Sequence, residues 1–263
     1  MAQPHWAQSS RELFTRTRDG WLSDVLGVEC WDVSSASQIE TPAAPDLTEP
    51  LAGPAFFTAK VPARNIHTVK RLTEFGFYLV DTALTLQFES REIIGSVHPS
   101  SPDRLIWTVT DAAPEDADSL GQIASRAFTS SRFHLDPGIS SEAASAIKSE
   151  WARSLAWGRR GIRCRVVRGT NGVEGFLGVV EGRGNQRILT IDLIAVSPDS
   201  QGHGVGAALV RDFLVIAHTE GALAQVGTQA ANTSAARFYE GLGFALTSAT
   251  YVMHAHVPTE EPL

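Results

Sequence analysis

Apolar positions along this chain switch between two rhythms, and the clearest switch lies between residues 187 and 220. Residues 187–196 are almost continuously apolar, with Ile188, Leu189, Ile191, Leu193, Ile194, Ala195 and Val196. Such a run predicts a strand covered on both faces. Pro198 ends it, residues 197–204 form a glycine-rich loop, and beyond Gly204 the residues Val205, Leu209, Phe213 and Ile216 fall at helical spacing. The same rhythms divide the rest of the chain. Residues 1–20 are polar with alternating charge, and 28–33 alternate like a short strand. A long loop follows at 34–54, which holds Pro42, Pro45, Pro50 and Pro54. A strand is predicted at 56–61, then a helix at 64–75 from the spacing of Ile66, Val69, Leu72 and Phe75, then a strand at 77–88. Residues 89–104 read as a linker.

After the linker the pattern gives a strand at 105–109 and a helix opened by Asp111 and Pro114, with Leu120, Ile123, Ala124 and Ala127 inward. A loop spans 128–140. Ser140 or Ser141 caps the next helix, which runs to about Trp157 with Ile147, Trp151 and Leu155 inward. Residues 162–167 and 175–181 form a hairpin around Asn171-Gly172. Past the glycine loop and its helix come a strand at 222–229, a short helix between Asn232 and Gly241, and a last strand to about residue 257.

With 263 residues the chain is long enough for one domain and an extension, or for two small domains. The division read here is a small α/β domain with linker at 1–100 and a larger α/β domain at 101–263. A net charge of −7 argues against a nucleic-acid partner, although a local cluster of cations can still hold a small anion. The two cysteines, Cys30 and Cys164, show no metal-type spacing and suit a reducing compartment. No signal peptide or membrane-length apolar run is evident, so a cytoplasmic protein away from the membrane is the simplest expectation.

A glycine loop between a strand and a helix aims backbone N–H groups at a helix N-terminus, where phosphate binds well. The Gly-Lys-Ser/Thr of a Walker loop is absent, and Gly202-x-Gly204-x-Gly206 does not match the dinucleotide Gly-x-Gly-x-x-Gly. Gln201, Gly204 and Gly206 do match Gln-x-x-Gly-x-Gly directly after a Val-x-Pro strand end. Plain turn chemistry would also explain those glycines. Downstream, Asn232 opens Asn-Thr-Ser-Ala-Ala-Arg-Phe-Tyr-Glu-Gly-Leu-Gly-Phe.

Together, the loop and the Asn to Phe-Tyr to Gly-Phe segment resemble the signatures of the GCN5-related N-acetyltransferase (GNAT) superfamily. The resemblance implies an α/β fold with a mixed, mostly antiparallel central sheet flanked by helices, with two strands splayed at the acetyl-CoA site. It covers about residues 105–257. Residues 72–80, 124–134 and 248–251 narrow it toward the dTDP-fucosamine acetyltransferases. Those enzymes carry a small extra N-terminal domain and acetylate the 4-amino group of a nucleotide-linked amino-deoxysugar. The implied partner is such a sugar, and the implied assembly a homodimer. Another amine, of a protein N-terminus or a small molecule, and a non-catalytic acyl-CoA sensor are the competing readings.

The resemblance implies roles by position. Gln201, Gly202, His203, Gly204, Val205 and Gly206 hold the coenzyme pyrophosphate. The backbone of Ile194, Ala195 and Val196 pairs with the pantetheine arm, and Asn232 contacts the coenzyme or simply caps its helix. Tyr239 is the expected general acid, since a phenol of pKa about 10 can protonate a thiolate whose acid lies near ~8.5. It would otherwise be a packing aromatic. Asp192, a lone carboxylate in an apolar strand, is either the general base or a hydrogen-bonded structural group, with a water relay as the other route for the proton. Arg132, Phe133 and His134 lie in the loop that walls the acceptor site, as diphosphate and base contacts or as a solvated Arg and a core Phe. His254 and His256 alternate along a strand without a third ligand in sequence, so no metal is expected.

Overall fold

The computed structural model describes residues 14–35, 51, 53–89, 107–170, 172–182 and 186–258. Most of the predicted 34–54 loop, the linker at 89–104 and the start of the predicted 105–109 strand lie outside these residues. The described residues form ten strands and six α-helices in two compact units. One unit takes the described residues up to 82, residues 135–138, and those from 249 onward; the other takes 83–134 and 139–248.

In the first unit, β1 (Phe14–Arg18) pairs antiparallel with β2 (Glu29–Ser35), and β2 pairs parallel with β3 (Ala55–Pro62). Residues 250–257 of β10 (Phe244–Val257) pair antiparallel with β3. Helix α1 (Gly20–Leu26) joins β1 to β2, and α2 (Ile66–Glu74) joins β3 to β4 (Tyr78–Phe88). The helix and flanking strands between residues 55 and 88 follow the predicted order. Neither β1 nor α1 was predicted. β1 buries Arg16, which is 4% exposed, beside Phe14 and lays its guanidinium 4.6 Å from the Trp31 ring, so an inward polar residue hides the alternation. Asp19 caps α1, accepting from the Leu22 N–H at 2.9 Å, and Gly27 ends it.

The two alternating histidines do share a third group. Asp136 accepts hydrogen bonds from the Tyr78 hydroxyl at 2.7 Å and the Gly138 N–H at 2.8 Å. Its oxygens also lie 2.5 Å from His254 Nδ1 and 3.1 Å from His256 Nε2. Burial alone would raise its pKa, but the bonds from His254, Tyr78, His256 and Gly138 prevail and hold the carboxyl well below the usual carboxylate range. This is a hydrogen-bonded cluster. Among the described residues, no group of three or more His, Cys, Asp or Glu side chains is disposed to hold a metal ion.

The second unit is a mixed, mostly antiparallel sheet in which residues 83–87 of β4 pair antiparallel with β9 (Leu223–Gln229). β9 pairs parallel with β8 (Ile188–Val196), and β8, β7 (Gly172–Gly182), β6 (Arg163–Gly169) and β5 (Val109–Asp111) follow antiparallel. Helices α3 (Ala117–Ala127) and α4 (Ser141–Ala156) build one core, around Leu120, Ile123, Ala152 and Leu155. Helix α5 (Val205–Thr219) builds the other around Leu209, Phe213 and Leu214, where α6 (Thr233–Gly241) adds Tyr239. Each such apolar side chain contributes about 1.5–3 kcal/mol on burial.

One residue decides how β8 faces these two cores. Gly178 pairs with Leu193 and Val179 with Ile191, which leaves Asp192 as the extra residue of a β-bulge. Before it, Leu189 and Ile191 pack in the α5 core. After it, Leu193 and Ala195 pack in the α3–α4 core, while Ile194 and Val196 lie against the α5 core.

Candidate active site

β8 and β9 part company just past the bulge. Their parallel pairing runs from Ile188 with Leu223 to Ile191 with Val226 and stops there. β8 continues on β7 as far as Val196, and β9 continues on β4 as far as Gln229. The two strands thus separate as a fork, and their inner edges carry backbone N–H and C=O groups with no sheet partner across the gap. Such groups need hydrogen bonds from elsewhere, and an extended amide-bearing chain can supply them. Ile194, Ala195 and Val196 lie on the β8 arm.

The fork opens onto the glycine loop. A 3-10 turn, Pro198–Ser200, leads off β8, held by Ser197 N–H donating to the Glu174 carbonyl at 2.8 Å and by a Ser200 hydroxyl to Glu174 carboxylate bond. Gln201, Gly202, His203 and Gly204 follow, all exposed. Gly204 sits at φ 82, a left-handed conformation that favours glycine, and caps α5 with no side-chain bond. The first intrahelical bond reaches Ala208 N, so the N–H groups of the first turn, Val205 and Gly206 included, have no acceptor within the helix. Gly175 lets that turn close on the sheet: a β-carbon there would stand 2.8 Å from Val205 Cγ1 and 3.0 Å from the Ala195 carbonyl. The Trp107 indole fixes the loop, donating to the His203 carbonyl at 2.7 Å. The arrangement is an anion site at the head of a helix beside a strand edge that can take an extended chain.

Helix α6 borders the same place. A β-carbon on Gly206 would lie 3.5 Å from the Phe238 ring and 3.6 Å from Val196 Cγ2. Tyr239 follows Phe238, is 4% exposed, and packs edge-on against Phe238 and Phe244 at 5.2 and 5.8 Å. Burial pushes its phenol pKa up, so it is a proton donor at neutral pH. Asn232 caps α6, its side chain accepting from Ala235 N–H at 3.1 Å and from the Ser234 hydroxyl at 3.0 Å.

On the α3–α4 side the structure gathers a second set. The loop after α3 is tied to the β9 arm by Gln229 Nε2, which donates to the Ser130 carbonyl at 2.8 Å. Within the loop, Arg132 lays its guanidinium 4.4 Å from the ring centre of Phe133, which is 1% exposed. His134 is bracketed by Ser131 at 2.8 Å and Ser145 at 3.3 Å, and burial, with Lys148 nearby, lowers its pKa. Asp192 is not a lone carboxylate. It receives Arg160 Nε and Nη2 at 2.6 and 2.9 Å and Trp151 Nε1 at 2.7 Å.

Sequence reasoning missed Lys148. Its side-chain nitrogen lies 4.5 Å from the Trp151 ring, 4.9 Å from Phe128 and 5.9 Å from Phe133, and only 8% of the residue is exposed. Burial, with the Arg132 and Arg160 cations adding to it against Asp192, brings its pKa down to about 7. The signal was available: Lys148 stands four residues after Ala144 and three before Trp151, on the inward face of the predicted helix.

The mixed sheet thus parts two strands beside an uncapped helix head, with a buried phenol on the neighbouring helix. Residues 132–244, a little under half of the chain, match the Acetyltransferase (GNAT) family. The spore coat polysaccharide biosynthesis protein SpsD of Bacillus subtilis (strain 168) is 27% identical over 205 residues, 76% of this chain and 66% of its own length. The chain thus spans just under two thirds of that relative. Among solved structures, a conserved protein of unknown function from Staphylococcus epidermidis ATCC 12228 aligns at 11% identity over 94% of this chain and 92% of its own, with a TM-score of 0.58. A GNAT-family protein from Novosphingobium aromaticivorans DSM 12444 aligns at 15% identity over 85% and 82%, with a TM-score of 0.50. At these identities the structures speak for the fold. No helix among the described residues is long and apolar enough to cross a membrane.

Proposed function

We propose that this protein transfers the acetyl group of acetyl-CoA to a primary amine, in particular the 4-amino group of a nucleotide-linked amino-deoxysugar. The fork between β8 and β9, opening on the uncapped head of α5, carries the reading. On it, loop and first-turn N–H groups from Gly202 to Gly206 take the pyrophosphate, and the β8 arm pairs with the pantetheine amides and polarises the thioester carbonyl. The amine attacks directly while both substrates are held, which supplies the proximity such a reaction needs. Tyr239 protonates the departing thiolate. Asp192 holds Arg160 and Trp151 on the acceptor side, and Arg132 and His134 meet the acceptor. The name of the Bacillus relative, a spore coat polysaccharide biosynthesis protein, supports a sugar acceptor.

Thiol release from acetyl-CoA, measured with a panel of amines that includes a dTDP-linked 4-amino-4,6-dideoxyhexose, tests this. Fast release with the nucleotide sugar alone is the expected result. Release only with a different amine discards the sugar and keeps the transferase, and acetyl-CoA binding without release from any amine discards both.

A further inference from the structure

The reaction needs a group that removes a proton from the acceptor, because a primary amine in water near neutral pH is mostly ammonium and has no lone pair to attack with. Asp192 is committed to Arg160 and Trp151 through three hydrogen bonds. We propose that the side-chain amine of Lys148 is the general base that deprotonates the acceptor. The assignment rests on the acetyltransferase reading above.

Its geometry comes from three elements. Lys148 projects from α4 between Phe128 and Trp151, two rings that pack against the core holding Leu193 and Ala195 of the β8 arm. Phe128 and Phe133 bring in the loop that Gln229 ties to the β9 arm. Lys148 therefore lies against the acceptor loop, within electrostatic reach of Asp192 on β8. The charged and titratable groups facing it are Arg132 and His134 from that loop, Arg160 beyond α4 and Asp192 from β8. Two cations oppose one carboxylate that is already ion-paired, and ring faces stand where a counter-ion would. No ion pair joins Lys148 to a carboxylate among the described residues. Burial with that surplus of positive charge favours the neutral amine, whose pKa of about 7 matches the pH at which a general base works best.

The acceptor ammonium gives one proton to Lys148 Nζ, leaving a neutral amine and a lysine ammonium. The amine nitrogen forms a bond to the thioester carbon, and the carbon–sulfur bond breaks. The thiolate takes the proton of Tyr239, and the phenolate recovers one from the new amide nitrogen. Lys148 then returns its proton to water, so the net products are amide, thiol and one proton.

The test is kcat/KM against pH for the full chain with acetyl-CoA and the same amine panel, in wild type and Lys148→Met, whose side chain fills a similar space. Wild type should lose activity below about pH 7. Lys148→Met should be roughly 100-fold slower at pH 7, in the range expected for losing a general base. It should lack that acid limb, approach wild type at high pH where the acceptor deprotonates unaided, and bind acetyl-CoA within about two-fold of wild type. A uniform loss at every pH with the limb retained would reduce Lys148 to a packing residue and overturn the assignment, as would wild-type rates. A folded wild type that releases thiol with none of the amines removes the transferase reading and the base with it. Release through a limb indifferent to Lys148 removes the base alone. Should Lys148→Met not fold, the wild type suffices: the chain has three lysines, Lys60, Lys70 and Lys148, so a 13C-lysine titration resolves each. One signal titrating near 7 is expected; three titrating near the ordinary ~10.4 overturn the proposal.

Discussion

Two residues carry opposite demands on protonation, and their surroundings meet them by the same device. Tyr239 and Lys148 are both buried, and burial favours the neutral form of each. For the phenol the neutral form holds a proton to give; for the amine it holds a lone pair to take one. Replacing Tyr239 by Phe keeps the ring contacts with Phe238 and Phe244 and removes only the donor. We expect kcat to fall by about 10²–10³ while the Kd for acetyl-CoA, measured by calorimetry, stays unchanged. Wild-type turnover in that variant would leave Tyr239 as packing alone. The sequence singled out the phenol through the resemblance that Arg-Phe-Tyr carries. The lysine was hidden because a cation among apolar side chains reads as surface until its helix neighbours are counted.

At the scale of elements, the strand, loop and helix around residue 200 were readable because each carries its own local signal: an apolar run, a proline and a glycine, then a 3.6-residue spacing. What was not legible was the bulge. An extra residue leaves no mark of its own in a run that is apolar on either side of it, and only pairing with β7 reveals that Asp192 has no partner opposite. The bulge lets a strand of one composition pack Ile191 toward α5 and Leu193 toward α3 and α4. The loop makes the sharper prediction. Gly204 holds φ 82, and a β-carbon there meets nothing within 4 Å, so the constraint is conformational. Gly204→Asn, which tolerates that conformation, should bind acetyl-CoA within about ten-fold of wild type. Gly204→Asp adds a negative charge where the pyrophosphate is expected, and should weaken binding by at least about 100-fold. Equal affinities for the two variants would remove the loop from coenzyme binding.

For the molecule as a whole, acid sensitivity should trace to Asp136. Its folded-state pKa is depressed, so the stability it adds is complete above the unfolded value near ~3.9. That stability is lost progressively as pH falls from there toward the folded value. Asp136→Asn should lower stability by about 3 kcal/mol at pH 7, through donors left without their carboxylate. It should also flatten the dependence below pH 4. Urea midpoints at pH 7 and pH 3 check both, and an equally steep acid limb in the variant would place the sensitivity elsewhere. None of this was legible in sequence, because His254 and His256 meet Asp136 across more than a hundred residues.

The first unit is assembled from distant stretches of chain, and this bears on how the protein is made. β3 is completed by residues 250–257, so pairs such as Val61 with Tyr251 wait until the long stretch of chain between them has been made. At about 5–20 residues per second, that interval is about 10–40 s. Through it the β3 edge stays open beside Phe57 and Val61, a window in which a nascent-chain chaperone has most to protect.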